Sequence, residues 1–232
     1  MNTLLSVNAR DIELPASVEQ WLYEIKQPMA ITVDGEDNSK VAIVSVLIHG
    51  NEPSGFYGLF EFLQQQIKPK MKFIFVISSV QAAQLYPLFS HRVVPGTHDL
   101  NRRFGKAGSD AVTARAAMIS QFIKSQSPEL IVDLHNTSGH SPAFAVTTSN
   151  DYQLQRLAGV FTNTVIVTHL VVGSLMEQPF GCPVVTIECG GAQQLASHKL
   201  AYDGLTKLAE LPSVNQLPDT LSIVHEHPSR VL

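Results

Sequence analysis

VAIVSVLI (41–48) is apolar at every position but Ser45 and rich in β-branched side chains, and HGNEPSG (49–55) follows it at once. A run of that length and character predicts a strand buried on both faces of a sheet. Downstream, FYGLFEFLQQQI (56–67) reads as the following helix and FIFVISS (73–79) as a second buried strand. LIVDLH (130–135) and PVVTIE (183–188) have the same strand character, as do AFAVTT (143–148) and TVIVTHL (164–170). Between them lie helical patterns at TARAAMISQFIKSQ (113–126), near 151–161, and at AQQLASHKLAYDGLTKLAEL (192–211). Upstream, ASVEQWLYEIK (16–26) predicts a helix, MAITV (29–33) a strand and DGEDNSK (34–40) a polar turn. Strands alternating with helices predict an α/β sandwich around a mixed, mostly parallel sheet. Residues 80–112 have turn chemistry and little periodicity; a loop that long either is functional or hides an element.

Charged residues make up 16% of the 232 positions and apolar ones 44%, a balance that suits a sheet covered on both faces. The formal net charge of −4 excludes an overall basic footprint for nucleic acid. No apolar run approaches the ~20 residues of a membrane span, and MNTLLSVNARDIELP has no basic start followed by a long apolar stretch. A cytoplasmic location follows as the expectation. Cys182 and Cys189 are too few for a disulfide framework and are expected to be reduced. We expect one domain over 1–232, with an irregular tail over 212–232 that holds at most a short strand near 220–225. Oligomeric state is not legible here.

HGNE, DLH and TIE each end a buried strand, and ligands of open α/β sheets bind outside the carboxyl ends of the strands. His49 and Glu52 form an H-x-x-E pair; if a helix begins at His49, they share one face. His135, 83 residues further on, completes a two-histidine, one-glutamate set, which catalytic zinc sites use while keeping a position open for water. Asp133, two residues earlier on the strand, is placed to accept the other ring N–H of His135. Glu188 ends an apolar strand, where a carboxylate is costly unless paired or working; beside a metal it becomes the base that activates water. HDLNRRFG (98–105) offers Asn101, Arg102 and Arg103, and arginine suits bidentate recognition of a carboxylate. His98, His140 and the HEH triplet (225–227) are available to a second metal, but exposed polar residues near a terminus are ordinary.

HGNEPSG (49–55), DLNRRF (99–104), DLHNTSG (133–139) and TIECGG (186–191), in that order, resemble the aspartoacylase and succinylglutamate desuccinylase family, a branch of the zinc carboxypeptidase superfamily. The resemblance implies a three-layer α/β/α zinc-hydrolase domain with one zinc per chain. His49, Glu52 and His135 would be its ligands and Glu188 the base. It also implies that Asn101 and Arg102 hold a substrate carboxylate, and that an upstream arginine stabilises the oxyanion. Arg92 is the nearest candidate for that arginine, with about two extra residues before DLNR. Family members carry arginine and tyrosine just before the base to read an acidic substrate; SLMEQPFGCP (174–183) has neither. Only 44 residues follow Glu188, so the family's C-terminal β-domain is expected to be absent or vestigial. The implied activity is hydrolysis of an N-acyl amino acid or similar small substrate. The alternatives are carboxypeptidase-like trimming of a short peptide, and a non-catalytic zinc protein that binds a ligand.

Overall fold

The computed structural model describes residues 4–226. Its strands are β1 (Leu5–Asn8), β2 (Met29–Val33), β3 (Asp37–Val46), β4 (Met71–Ile77), β5 (Leu130–Thr137), β6 (Phe144–Thr147), β7 (Thr164–Val167), β8 (Val184–Gly191) and β9 (Ile223–Glu226). They form one sheet in the order β1-β2-β4-β3-β5-β8-β6-β7-β9. Only the β2–β4 and β6–β8 pairings are antiparallel. The helices are α1 (Val18–Glu24), α2 (Ser54–Gln64), α3 (Val80–Ala83), α4 (Ala111–Ser125), α5 (Tyr152–Ala158) and α6 (Leu195–Ala209). The expected mixed, mostly parallel sheet with helices is therefore present.

Alternation along the central strands builds the layers. Ala42, Val44 and Val46 of β3 belong to one core cluster with residues of α1, α2, α5 and α6, whereas Val41 and Ile43 belong to a second with residues of α4. Capping follows the sequence: Ser17 accepts from Gln20 N–H at α1, and Asp110 accepts from Val112 and Thr113 N–H at α4. On the α1–α2 face, Trp21 stacks on Phe56 at 4.7 Å and Phe62 on Phe73 at 5.7 Å. Phe62 is fully buried, so Phe62→Ala should destabilise the fold by about 3–5 kcal/mol. The denaturant midpoint would show this, and a shift under 1 kcal/mol would mean that this layer tolerates a cavity.

Several elements differ from the sequence expectation. β1 has four residues and no strong periodicity, so the pattern does not mark it. β3 starts inside the polar 34–40 segment, because Asp37 pairs with Met71 before a register shift to Val41. Within 80–112 lie α3 and a 3-10 turn, Leu100–Arg102. After Leu211 come a 3-10 turn (Val214–Gln216) and β9, which pairs in parallel with β7. His227 of the HEH triplet lies outside the described residues. Both cysteines are free thiols. Among the described residues no helix is long and apolar enough to cross a membrane.

Candidate metal centre

β3, β5 and β8 are adjacent, parallel and central, so their carboxyl ends open on one side of the sheet. After Val46 the chain turns sharply, with Leu47 in the left-handed region at φ 52°. The end of β4 holds this turn: Ser79 N–H donates to Leu47 O at 2.7 Å and Ser79 Oγ–H to Ile48 O at 2.6 Å. His49 and Glu52 do not share a helix face. They sit in a turn closed by Glu52 N–H donating to His49 O at 3.2 Å, and α2 begins only at Ser54. Glycine at position 50 is a steric requirement, since a Cβ there would lie 2.5 Å from the Ala83 nitrogen.

The structure brings His49, Glu52 and His135 together in the buried interior, one ligand atom of each lying within 4.8 Å of the others. His49 Nδ1 is 2.9 Å from Glu52 Oε1, and His135 Nδ1 is 2.6 Å from Glu52 Oε2. The opposite ring nitrogens face carboxylates: His49 Nε2 lies 3.0 Å from Asp99 Oδ1 and His135 Nε2 2.7 Å from Asp133 Oδ2. An ionised carboxylate only accepts, so each Nε2 carries a proton; without a metal the His135 ring is protonated at Nδ1 as well and donates to Glu52, and a bound cation would take the place of that proton. A lone pair against a carboxylate oxygen needs a positive species between them. For His49 Nδ1, which is buried without a hydrogen bond, the donor set fits a divalent cation with nitrogen and oxygen ligands.

The charge balance agrees. Burial opposes the charged form of His135, but Asp133 and Glu52 outweigh it and raise its pKa well above the usual histidine value. Burial pushes Glu52 up, yet the imidazoles of His135 and His49 bring its carboxyl far below the ordinary range. Glu188 is paired in register with His135 across β5 and β8. Burial raises its pKa, His135 pulls it down, and Glu52 adds to the rise; the net shift is upward. Its Oε2 is buried without a partner among the described residues.

The remaining expected residues divide. Arg92 reaches the cluster, donating from Nη1 to Glu52 Oε1 at 2.9 Å and from Nε to Asp99 Oδ2 at 3.0 Å. Asn101 and Arg102 stand apart. Asn101 Oδ1 accepts from Leu175 N–H at 2.9 Å, while Arg102 is exposed and donates to Asn101 O. Among the described residues neither side chain bonds to the cluster.

Sequence reasoning passed over two supports. Asp99 lies 50 residues from His49, and only its place in DLNR hinted at it. Asn136 N–H donates to Glu52 Oε2 at 3.3 Å, its Oδ1 accepts from Ser54 N–H, and its Nδ2 donates to Gly190 O and Ser54 Oγ. Gly190 has φ +103° and would bring a Cβ within 2.9 Å of Ser141 O. That conformation lets the chain leave β8 beside Asn136.

Fold and site together define an α/β protein with a buried cation-binding geometry at the carboxyl ends of parallel strands. Residues 38–209 match the family model described as the succinylglutamate desuccinylase/aspartoacylase catalytic domain, and the chain belongs to that family. Solved structures agree in fold. The succinylglutamate desuccinylase of Chromobacterium violaceum superposes with a TM-score of 0.67 at 18% identity, over 84% of this chain and 72% of that one. For the Vibrio cholerae succinylglutamate desuccinylase the TM-score is 0.68 at 17% identity, covering 91% and 75%. The product-bound ectoine utilization protein EutE (DoeB) of Ruegeria pomeroyi gives 0.62 at 19%, covering 87% of this chain and 66% of its own. No curated protein matches the sequence.

Proposed function

We propose that this protein is a zinc-dependent amide hydrolase acting on an N-acyl amino acid, or a similar small substrate with a free carboxylate. The observation that carries this reading is the pairing of the His49–Glu52–His135 cluster with a half-buried Glu188 one strand away, whose Oε2 is buried without a partner among the described residues. His49, Glu52 and His135 would hold one zinc ion per chain, with Asp99 and Asp133 fixing the two rings. When bound, zinc supplies Lewis acidity and lowers the pKa of water to about 7.

Glu188 takes the proton of the attacking water as the oxygen adds to the amide carbonyl carbon. It returns that proton to the nitrogen as the C–N bond breaks, leaving a carboxylic acid and a free amine. Its raised proton affinity suits both steps. Arg92 is the cation nearest the ligands and would turn from Glu52 and Asp99 toward the oxyanion, the kind of contact worth about 3–4 kcal/mol per donor elsewhere. Arg102 and Asn101, at the 3-10 turn after Asp99, would hold the substrate carboxylate.

Membership of a desuccinylase/aspartoacylase family supports the reaction class. The test is a screen of the zinc-loaded protein against N-acyl amino acids and C-terminal dipeptides at neutral pH. Hydrolysis of N-acyl amino acids is the expected result. Cleavage of dipeptides alone would make the protein a carboxypeptidase, and one equivalent of zinc without any hydrolysis would make it a binding protein.

A further inference from the structure

Beside the cluster, and sharing Glu52 as part of its wall, lies a recess of about 750 Å³ between the start of α2, the loop after β5 and the start of α6. That is the size of a small-molecule site. Among the described residues that line it, none is lysine or arginine, and the carboxylate of Glu52 is its one formal charge near the cluster. A second substrate carboxylate seated there, away from the zinc ligands, would exchange water for a lining without lysine or arginine, which is costly.

One wall is aromatic. Tyr57 of α2 and His198 of α6 stack with ring centroids 4.3 Å apart and planes 7° apart, and Phe89 tilts against Tyr57 at 5.8 Å. Phe89 holds φ 56°, a left-handed backbone that a bulky residue rarely adopts and that tends to mark ligand sites.

Hydrogen-bond accounting fixes the His198 ring. Asn136 has its oxygen on Ser54 N–H and its amide nitrogen on Gly190 O, so Nδ2 donates to Ser54 Oγ at 2.8 Å. Ser54 is fully buried, and the partner left for its hydroxyl proton is His198 Nδ1, at 2.8 Å. Nδ1 therefore accepts, and the ring proton sits on Nε2, which has no partner among the described residues. Burial lowers the His198 pKa and keeps the ring neutral.

We propose that this recess is a substrate subsite for an uncharged aromatic group, which packs on the Tyr57–His198 wall and accepts a hydrogen bond from His198 Nε2–H. The proposal rests on the amide-hydrolase reading and narrows its substrates to those with a neutral aromatic acyl or side-chain group. His198 acts here as a specificity residue, not in the bond-breaking step.

The test uses zinc-loaded protein with N-(4-methoxybenzoyl)glycine (aromatic acyl) and N-acetyltyrosine (aromatic side chain), each with a ring oxygen substituent that can accept from His198, and with N-acetylaspartate and N-succinylglutamate. kcat and KM are measured for each, and binding is measured separately by calorimetry. The expected result is that one or both aromatic compounds bind at least about tenfold more tightly than the acidic ones. His198→Ala should remove most of that preference through KM, with kcat little changed, and His198→Gln, which keeps a donor, should restore part of it. Equal or tighter binding of the acidic compounds would overturn the proposal, as would a His198→Ala effect of the same size on all four. Preferred turnover of acidic substrates would leave the hydrolase reading standing without this subsite. Selective, His198-dependent binding with no turnover would leave the subsite and remove the hydrolase reading.

Discussion

Glu188→Gln should lower kcat by about 10²- to 10⁴-fold, the usual worth of a general base, while zinc remains bound. Gln keeps the shape of the side chain but cannot take a proton from water, and the three ligands are untouched. The same substitution should raise the stability of the metal-free protein at neutral pH. Glu188 is half-buried, its Oε2 is buried without a partner among the described residues, and its pKa is raised above the ordinary glutamate value, chiefly by burial. An acid whose folded pKa lies above its unfolded one destabilises the fold increasingly as pH rises between the two values. The advantage of Glu188→Gln should therefore be full above the folded pKa and vanish below about pH 4, where both states carry a protonated acid. Lost turnover together with a raised melting temperature would mark a residue kept for chemistry. Retained activity would remove Glu188 from the reaction, and a fall in stability would show that its carboxylate has a structural partner.

Removing the metal should have the second large effect. A chelator should abolish hydrolysis, and stoichiometric zinc should restore it. In the absence of metal, Glu52, Asp99 and Asp133 surround two imidazoles and the charge is offset by protons and Arg92. A cation that binds only the folded chain stabilises it by about 4 kcal/mol at a thousand times its Kd. In a chain of this size each kcal/mol moves the melting temperature by about 2–4 °C. Glu52→Ala should remove both the activity and the zinc-dependent shift. Asp133→Asn should weaken zinc binding by about 10- to 100-fold, because the ring of His135 loses its charged acceptor. Full activity in excess chelator, or a melting temperature indifferent to zinc, would dismiss the metal.

The ends of β3, β5 and β8 were legible because both signals there are local. A buried parallel strand needs an unbroken apolar run, and a polar residue ending one stands out against it. His49, Glu52, His135 and Glu188 were all singled out on that ground, and the structure brings them together. The route from His49 to Glu52 was not legible, since a turn and a helix both place residues three apart on one side. The backbone choice lies with Ser79, just after β4, and with the lack of a Cβ at Gly50.

Residues 80–112 were opaque for the same reason: their conformation follows from what they pack against. That packing puts Arg92 and Asp99 against the cluster, and it leaves Asn101 on Leu175 and Arg102 in solvent. The Asn136–Ser54–His198 chain joins three elements up to 144 residues apart, and no spacing rule could have predicted it. Local pattern thus sets which strands are buried and which chemical groups end them, because a strand's burial is written in its own side chains. Folding adds the partners of those groups, because a hydrogen bond between distant loops depends on where the sheet has carried each of them.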